Sequence, residues 1–168
     1  MKKTILLLAL LSFFLAYSLI AGEENGLTAK QVSERILNNS LIKDEREKKS
    51  SDLIPKEFTN KELYQLAIEL KLADWDLDRY GALGVGYIEN AFIYCLYELA
   101  KRNEGEIQLI ALLENRKLGW DAGHSLILGD AIVKRGAQCI PLLQELPDSI
   151  PHKFRYIELI EQGTKTNL

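Results

Sequence analysis

Histidine and cysteine are nearly missing from this chain: only two of each stand in 168 residues. A zinc or iron site needs three or four such side chains, usually with two of them closely spaced. His124, His152, Cys95 and Cys139 lie on four separate stretches, so neither a metal site nor a cofactor is expected. Valine, threonine and alternating apolar-polar runs are scarce too, which leaves strands little to build on. Of the four prolines only Pro141 falls inside a long apolar run, so the apolar segments are free to be helical. No G-x-S-x-G element, no acidic pair within a loop and no metal-ligand spacing occurs, which argues against a hydrolase and against an enzyme generally. A basic cluster is also absent. The net charge of −3 argues against nucleic acid, which rewards Lys and Arg gathered on one face.

What is present is 47% hydrophobic and 27% charged residues, the balance of a chain able to bury a core. Good helix formers dominate, and the expected class is all-α. The start departs from this composition. Lys2 and Lys3 precede the uncharged run "TILLLALLSFFLAYSLIAG", followed by Glu23 and Glu24. A charged start, an apolar middle and small residues at the end predict a secretory signal peptide over 1–21. Cleavage is expected after Ser18 or Ala21, and the alternative is an uncleaved inner-membrane anchor. Removal of Lys2 and Lys3 takes the net charge from −3 to −5. The expected division is a signal peptide over 1–21, a helix with a charged linker over 22–57, and a helical body over 58–168.

Two helix starts are well marked. In "LTAKQV" and "FTNKEL" a Thr, Thr28 or Thr59, is followed three residues later by Gln31 or Glu62. Each pair forms a capping box, and Leu27 with Val32 and Phe58 with Leu63 are placed to close a hydrophobic staple. The first helix runs to Asn38-Asn39, and the second carries Leu63, Leu66, Ala67 and Leu70 on one face and ends near Ala73. Between them "KDEREKKSSD" mixes signs without apolar residues, which predicts a solvated linker or frayed helix. In "DWDLDRYGALGVGYIEN" the alternation of Asp74, Asp76 and Asp78 resembles a calcium loop. Arg79 stands where that loop needs Gly, and Val85 where it needs Glu. Gly81, Gly84 and Gly86 have the wrong order for a phosphate cradle, so they predict close approach of two helices or a helix start.

The later chain repeats itself. Laying "KRNEGEIQLIALL" on "KRGAQCIPLLQEL" gives an offset of 33 residues and places Ile107 on Ile140, Leu109 on Leu142, Ile110 on Leu143 and Leu113 on Leu146. Upstream, Gly86 falls on Gly119, Tyr87 on Trp120 and Ile93 on Leu126. Each copy predicts a longer helix, a break at Asn103-Glu104-Gly105 or at Gly136, and a shorter helix. Such a hairpin cannot bury its apolar face alone, so neighbours must stack. The stretch "GDAIVKRGAQCIPLLQEL", Gly129 to Leu146, resembles a HEAT-type repeat of the short bacterial kind, with Ile140, Pro141, Leu142, Leu143 and Leu146 matching its second helix. The preceding unit has Gln108 in place of the proline. The resemblance covers Gly86 to Leu146 and implies a right-handed α-solenoid of stacked antiparallel helix pairs that binds proteins. It implies no catalytic residue.

Several expectations follow from that register. Ala111 and Leu112 in the first copy become Gln144 and Glu145 in the second. The first copy is therefore packed on both sides, while the second shows a polar outer face. Ile150 to Ile160, with Phe154, Tyr156, Ile157 and Ile160 apolar, closes the end as a capping helix. Cys95 falls on Leu128 and Cys139 on Glu106, which are different positions of the unit. Export permits a disulfide, but the register favours two buried thiols.

His124 with Asp121 three residues before it can be written as a general base, yet no nucleophile accompanies it, and a surface or interface contact is the better account. Tyr80, Tyr87 and Tyr94 recur every seven residues and share one face if the helix runs unbroken through the glycines. The residues expected to contact a partner are Trp75, Tyr80, Tyr87, Trp120, His124 and Gln144. The expected function is protein-protein interaction in the cell envelope, periplasmic or secreted. The alternatives are a membrane-anchored structural component of the envelope and an envelope hydrolase.

Overall fold

Thr28 and Thr59 start helices as their capping boxes predict. The computed structural model describes residues 26–73 and 75–166, with side chains through residue 163. Helix α1 spans Ala29–Asn39 and α3 spans Asn60–Leu72. The Thr28 N–H donates to Gln31 Oε1 at 2.9 Å, and the Thr59 N–H donates to Glu62 Oε2 at 2.7 Å. Each cap satisfies otherwise orphaned backbone donors and contributes about 1 kcal/mol. The Thr59 N–H and hydroxyl hold the Glu62 carboxyl below its ordinary range. Val32 and Ile36 of α1 and Leu63, Leu66, Ala67 and Leu70 of α3 are buried, each set on one helical face.

The charged stretch between these helices is largely exposed, as expected of a linker or frayed helix, but it has a definite conformation. It forms one helical turn, α2 (Lys43–Arg46), and then a 3-10 turn, Ser50–Leu53, both packed against α4. Ser50 and Ile54 are buried. Apolar periodicity could not reveal this, because residues 43–52 carry no apolar side chain and the segment is anchored at its end, by Ser50, Leu53 and Ile54.

Helix α4 spans Leu77–Lys101 and is the hub of the fold, touching α1, α2, α3, α5 and α6. Asp76 caps it, accepting the Asp78 N–H at 2.8 Å. This gives one of the alternating aspartates a backbone role, while Asp74 lies outside the described residues. Gly81 interrupts α4 at φ 65°, a conformation that costs glycine little. The break corrects the expectation that Tyr80, Tyr87 and Tyr94 share an unbroken helix: Tyr80 lies in the single turn before it. Gly84 shows the expected close approach, since a Cβ there would stand 2.7 Å from the Ser40 carbonyl oxygen at the end of α1.

A long helix followed by a short one then occurs twice. Helix α4 turns at Arg102 to Glu104 into α5 (Gly105–Glu114), and α6 (Ala122–Arg135) turns through Gly136–Gln138 into α7 (Cys139–Glu145). Pro141 is the third residue of α7, where a missing N–H breaks no intrahelical bond. Helix α5 is flanked by α3, α4, α6 and α7, and Leu112 on it is fully buried. The 33-residue counterpart of Leu112, Glu145, is exposed.

Helix α8 (Lys153–Thr166) lies against α6 and α7. Ile150, Tyr156 and Ile160 are buried, but Phe154 is 61% exposed, so the capping face is narrower than expected. The Tyr156 ring lies over Gly129, and its hydroxyl donates to the Ser125 carbonyl at 3.2 Å. One core runs from Ala29 to Ile160. The described residues form helices and turns without a strand, and none of these helices is long and apolar enough to cross a membrane. The expected signal peptide lies outside the described residues.

Candidate functional site

After the break at Gly81, α4 presents Leu83, Gly86, Tyr87, Asn90, Tyr94, Tyr97 and Lys101 at three- and four-residue spacing, one stripe of a helix. Facing that stripe is the segment 43–51. Between them runs a groove of about 800 Å³, within the range of binding pockets. Its α4 wall, from residue 82 to residue 101, is about 28 Å long at ~1.5 Å per residue. The groove is therefore elongated.

The walls combine phenol rings with positive charge. Lys43, Arg46, Lys48, Lys49 and Lys101 line it, against Glu47 and Glu98. Lys48 pairs with Glu45 at 2.7 Å and Lys101 with Glu98 at 2.9 Å. Lys43 and Lys49 make no ion pair among the described residues. Burial pushes the Tyr87 and Tyr94 hydroxyls above their ordinary range. Tyr97 is raised chiefly by its hydrogen bond to Asp130 and further by burial. All three phenols are thus protonated donors at neutral pH. Two polar atoms of the 43–51 wall, Arg46 Nε and Ser50 Oγ, are buried without a partner.

Of the six residues expected to contact a partner, Trp75, Trp120 and His124 do come together, around Phe92. Trp75 meets His124 edge-to-face at 4.4 Å between ring centroids, and Phe92 lies 5.7 Å from His124 and 6.2 Å from Trp120. The indole N–H of Trp75 donates to the Leu70 carbonyl at 2.6 Å, and that of Trp120 to the Leu112 carbonyl at 3.2 Å. Asp121 caps α6 by accepting the His124 N–H at 2.9 Å, and it also contacts the His124 ring and Lys71. Burial alone raises the Asp121 carboxyl, but the His124 backbone N–H, the His124 ring and Lys71 together outweigh it and hold the group well below the usual range. The second ring nitrogen of His124 is sealed and faces no acceptor or donor. The cluster is a packed junction beside α3, α4 and α6, in which both indole N–H groups and His124 Nε2 face inward while the Asp121 side chain stays half exposed.

The other three expected residues are scattered. Tyr87 lies in the groove wall at 5% exposure, Tyr80 is equally buried under Arg79 across the Gly81 break, and Gln144 is exposed on α7. Cys95 and Cys139 are buried free thiols. Burial raises both, Cys139 to about 12, which keeps them from acting as thiolates. Among the described residues no three His, Cys, Asp or Glu side chains group as metal ligands.

Lys43, Arg46, Lys49 and Ser50 escaped the sequence reading. In "KDEREKKSSD" four basic residues stand against four acidic ones, and only the fold places Lys43, Arg46 and Lys49 in the groove wall while Glu45 pairs with Lys48. Compared with known proteins, the chain matches no family model, no curated protein and no solved structure.

Proposed function

We propose that this protein is an exported binding module without catalysis of its own, in which helix hairpins stack as a short HEAT-like solenoid and the groove along α4 receives an extended segment of a partner protein. The observation that carries the reading is the groove itself: a trough about 28 Å long by helix rise, lined by Tyr87, Tyr94 and Tyr97 and rimmed by lysines. Tyrosine offers a large, stiff contact area with a hydrogen-bonding tip, which is why it is enriched where proteins meet. An extended chain of about eight residues at ~3.3 Å each would fill that length. The long-short helix alternation with breaks at Gly105 and Gly136 supports the stacked-hairpin reading. The charged, apolar and small-residue order of residues 1–21 supports export.

Site-specific photocrosslinking in the cell envelope tests this. A photoreactive residue at Asn90, within the groove, should trap one partner in stoichiometric yield, and one at exposed Glu158 on α8 should not. Equal trapping from both positions, or none from Asn90, refutes the groove as the binding surface.

A further inference from the structure

The 43–51 wall of the groove holds two hydrogen-bond donors with nothing to donate to. Ser50 is 2% exposed and its hydroxyl has no acceptor, and Arg46, one helical turn earlier in the chain, has a buried Nε–H in the same state. A buried donor without a partner costs about 1–3 kcal/mol, so folded proteins rarely keep one idle. Here two occur four residues apart, on one wall of one groove. Both are donors, and the groove lining around them carries five cations, Lys43, Arg46, Lys48, Lys49 and Lys101, against the two carboxylates Glu47 and Glu98. Glu45 is engaged by Lys48 at 2.7 Å and by Asn39 at 3.4 Å, and Glu47, which lies between the two donors in sequence and lines the groove, accepts from neither.

We infer that Arg46 and Ser50 form a carboxylate subsite, which receives an Asp or Glu side chain of the extended segment proposed above. The inference rests on that reading of the groove and deepens it. A carboxylate offers acceptor sites to both donors at once. Hydrogen bonds that involve ions are the strong ones. The excess of cations over carboxylates in the groove lining adds a field that draws an acidic segment to a chain whose net charge is otherwise negative. Both donors are closed to water in the unbound structure, so the largely exposed turn 43–49 shifts to admit the carboxylate, which is then buried with them. A neutral segment of the same shape leaves the donors idle and binds more weakly.

Fluorescence anisotropy with two labelled octapeptides tests the assignment, one alternating Glu with Leu and the other alternating Gln with Leu. The glutamate peptide should bind at least tenfold more tightly. Arg46→Gln and Ser50→Ala should each reduce that affinity about tenfold, the equivalent of one charge-assisted hydrogen bond. Ser50→Ala also separates binding from folding. Removing an idle buried hydroxyl should leave the urea midpoint unchanged or higher while binding falls. Equal binding of the two peptides overturns the carboxylate subsite but leaves the groove as a docking site for protein segments. Ser50→Ala or Arg46→Gln holding affinity within twofold overturns it as well. Displacement by inorganic phosphate, but not by acetate of matched ionic strength, would reassign the site to phosphate. If neither peptide binds at millimolar concentration the subsite is refuted, and the Asn90 crosslink then decides independently whether a partner uses the groove.

Discussion

Leu112 and Glu145 occupy the same place 33 residues apart, yet one is fully buried in α5 between neighbouring helices and the other faces solvent on α7. Leu112→Glu carries the exposed residue into the buried position. Burying the carboxyl in its protonated form costs roughly 2–4 kcal/mol, against a total stability of about 5–15 kcal/mol. The cost depends on pH. Burial raises the folded-state pKa of the new carboxyl, so above the unfolded value of about 4.3 the unfolded chain releases a proton that the folded chain keeps. Each further pH unit removes about 1.4 kcal/mol until the group ionises in place. Glu145→Ala changes no buried contact and should stay within about 0.5 kcal/mol of the parent. Urea denaturation at pH 4.5 and pH 7 reads both. With a slope of about 1–3 kcal/mol per molar, Leu112→Glu should lower the midpoint by about 1 M or more at pH 4.5 and further at pH 7. Equal midpoints for the two variants, or no added loss at pH 7, would mean that α5 is not packed on two sides and that the two short helices are not inequivalent copies.

Gly129→Ala should destabilise by about 1–3 kcal/mol, because the new methyl would meet the Tyr156 ring at 2.4 Å. The double variant Gly129→Ala, Tyr156→Leu should recover part of that loss, which thermal denaturation can show. The Asp121 carboxyl is held below its ordinary value in the folded state, so its stabilising contribution is present above about pH 4 and fades as pH falls toward the lowered value. Asp121→Asn should therefore flatten the acid limb of the stability curve measured by denaturation between pH 5 and pH 2. Intact-mass analysis of protein recovered from the periplasm or medium should find a start between Leu19 and Glu23, whereas recovery of intact residues 1–22 in the membrane fraction would favour the anchored form.

Local chemistry was the most legible part of the sequence. The capping boxes at Thr28 and Thr59, the helix breaks before Gly105 and at Gly136, and the close approach at Gly84 each depend on a few neighbouring residues whose physics is complete within a turn or two. The candidate site was much less legible. Its floor is an amphipathic helix, which reads simply as core, and its other wall is a stretch of charges that reads as solvated until α4 lies beneath it. The Gly81 break hid in a run of three glycines, where nothing local says which one adopts a positive φ. The outward turn of Phe154 depends on how α8 rolls against α6, and Tyr156 over Gly129 fixes that roll. Trp75, Trp120 and His124 were singled out as separate aromatic and polar residues, and Phe92, the ring that joins them, gave no sign of its role in a helix rich in apolar side chains.

The two buried thiols make the molecule its own reporter of breathing. Cys95 sits in the C-terminal half of the hub helix, and Cys139 opens the short helix near the far end. Neither can meet an alkylating reagent until the part of the fold around it comes apart, and the raised thiol of each also keeps the reactive thiolate rare in the folded state. When opening and reclosing are fast relative to labelling, each modification rate measures a local opening equilibrium. Two equal rates describe a domain that opens as one cooperative unit, whereas faster capture of Cys139 describes an array that frays from its end while the hub stays shut. The chain thus carries two clocks for separating cooperative from stepwise unfolding, with no label engineered into it.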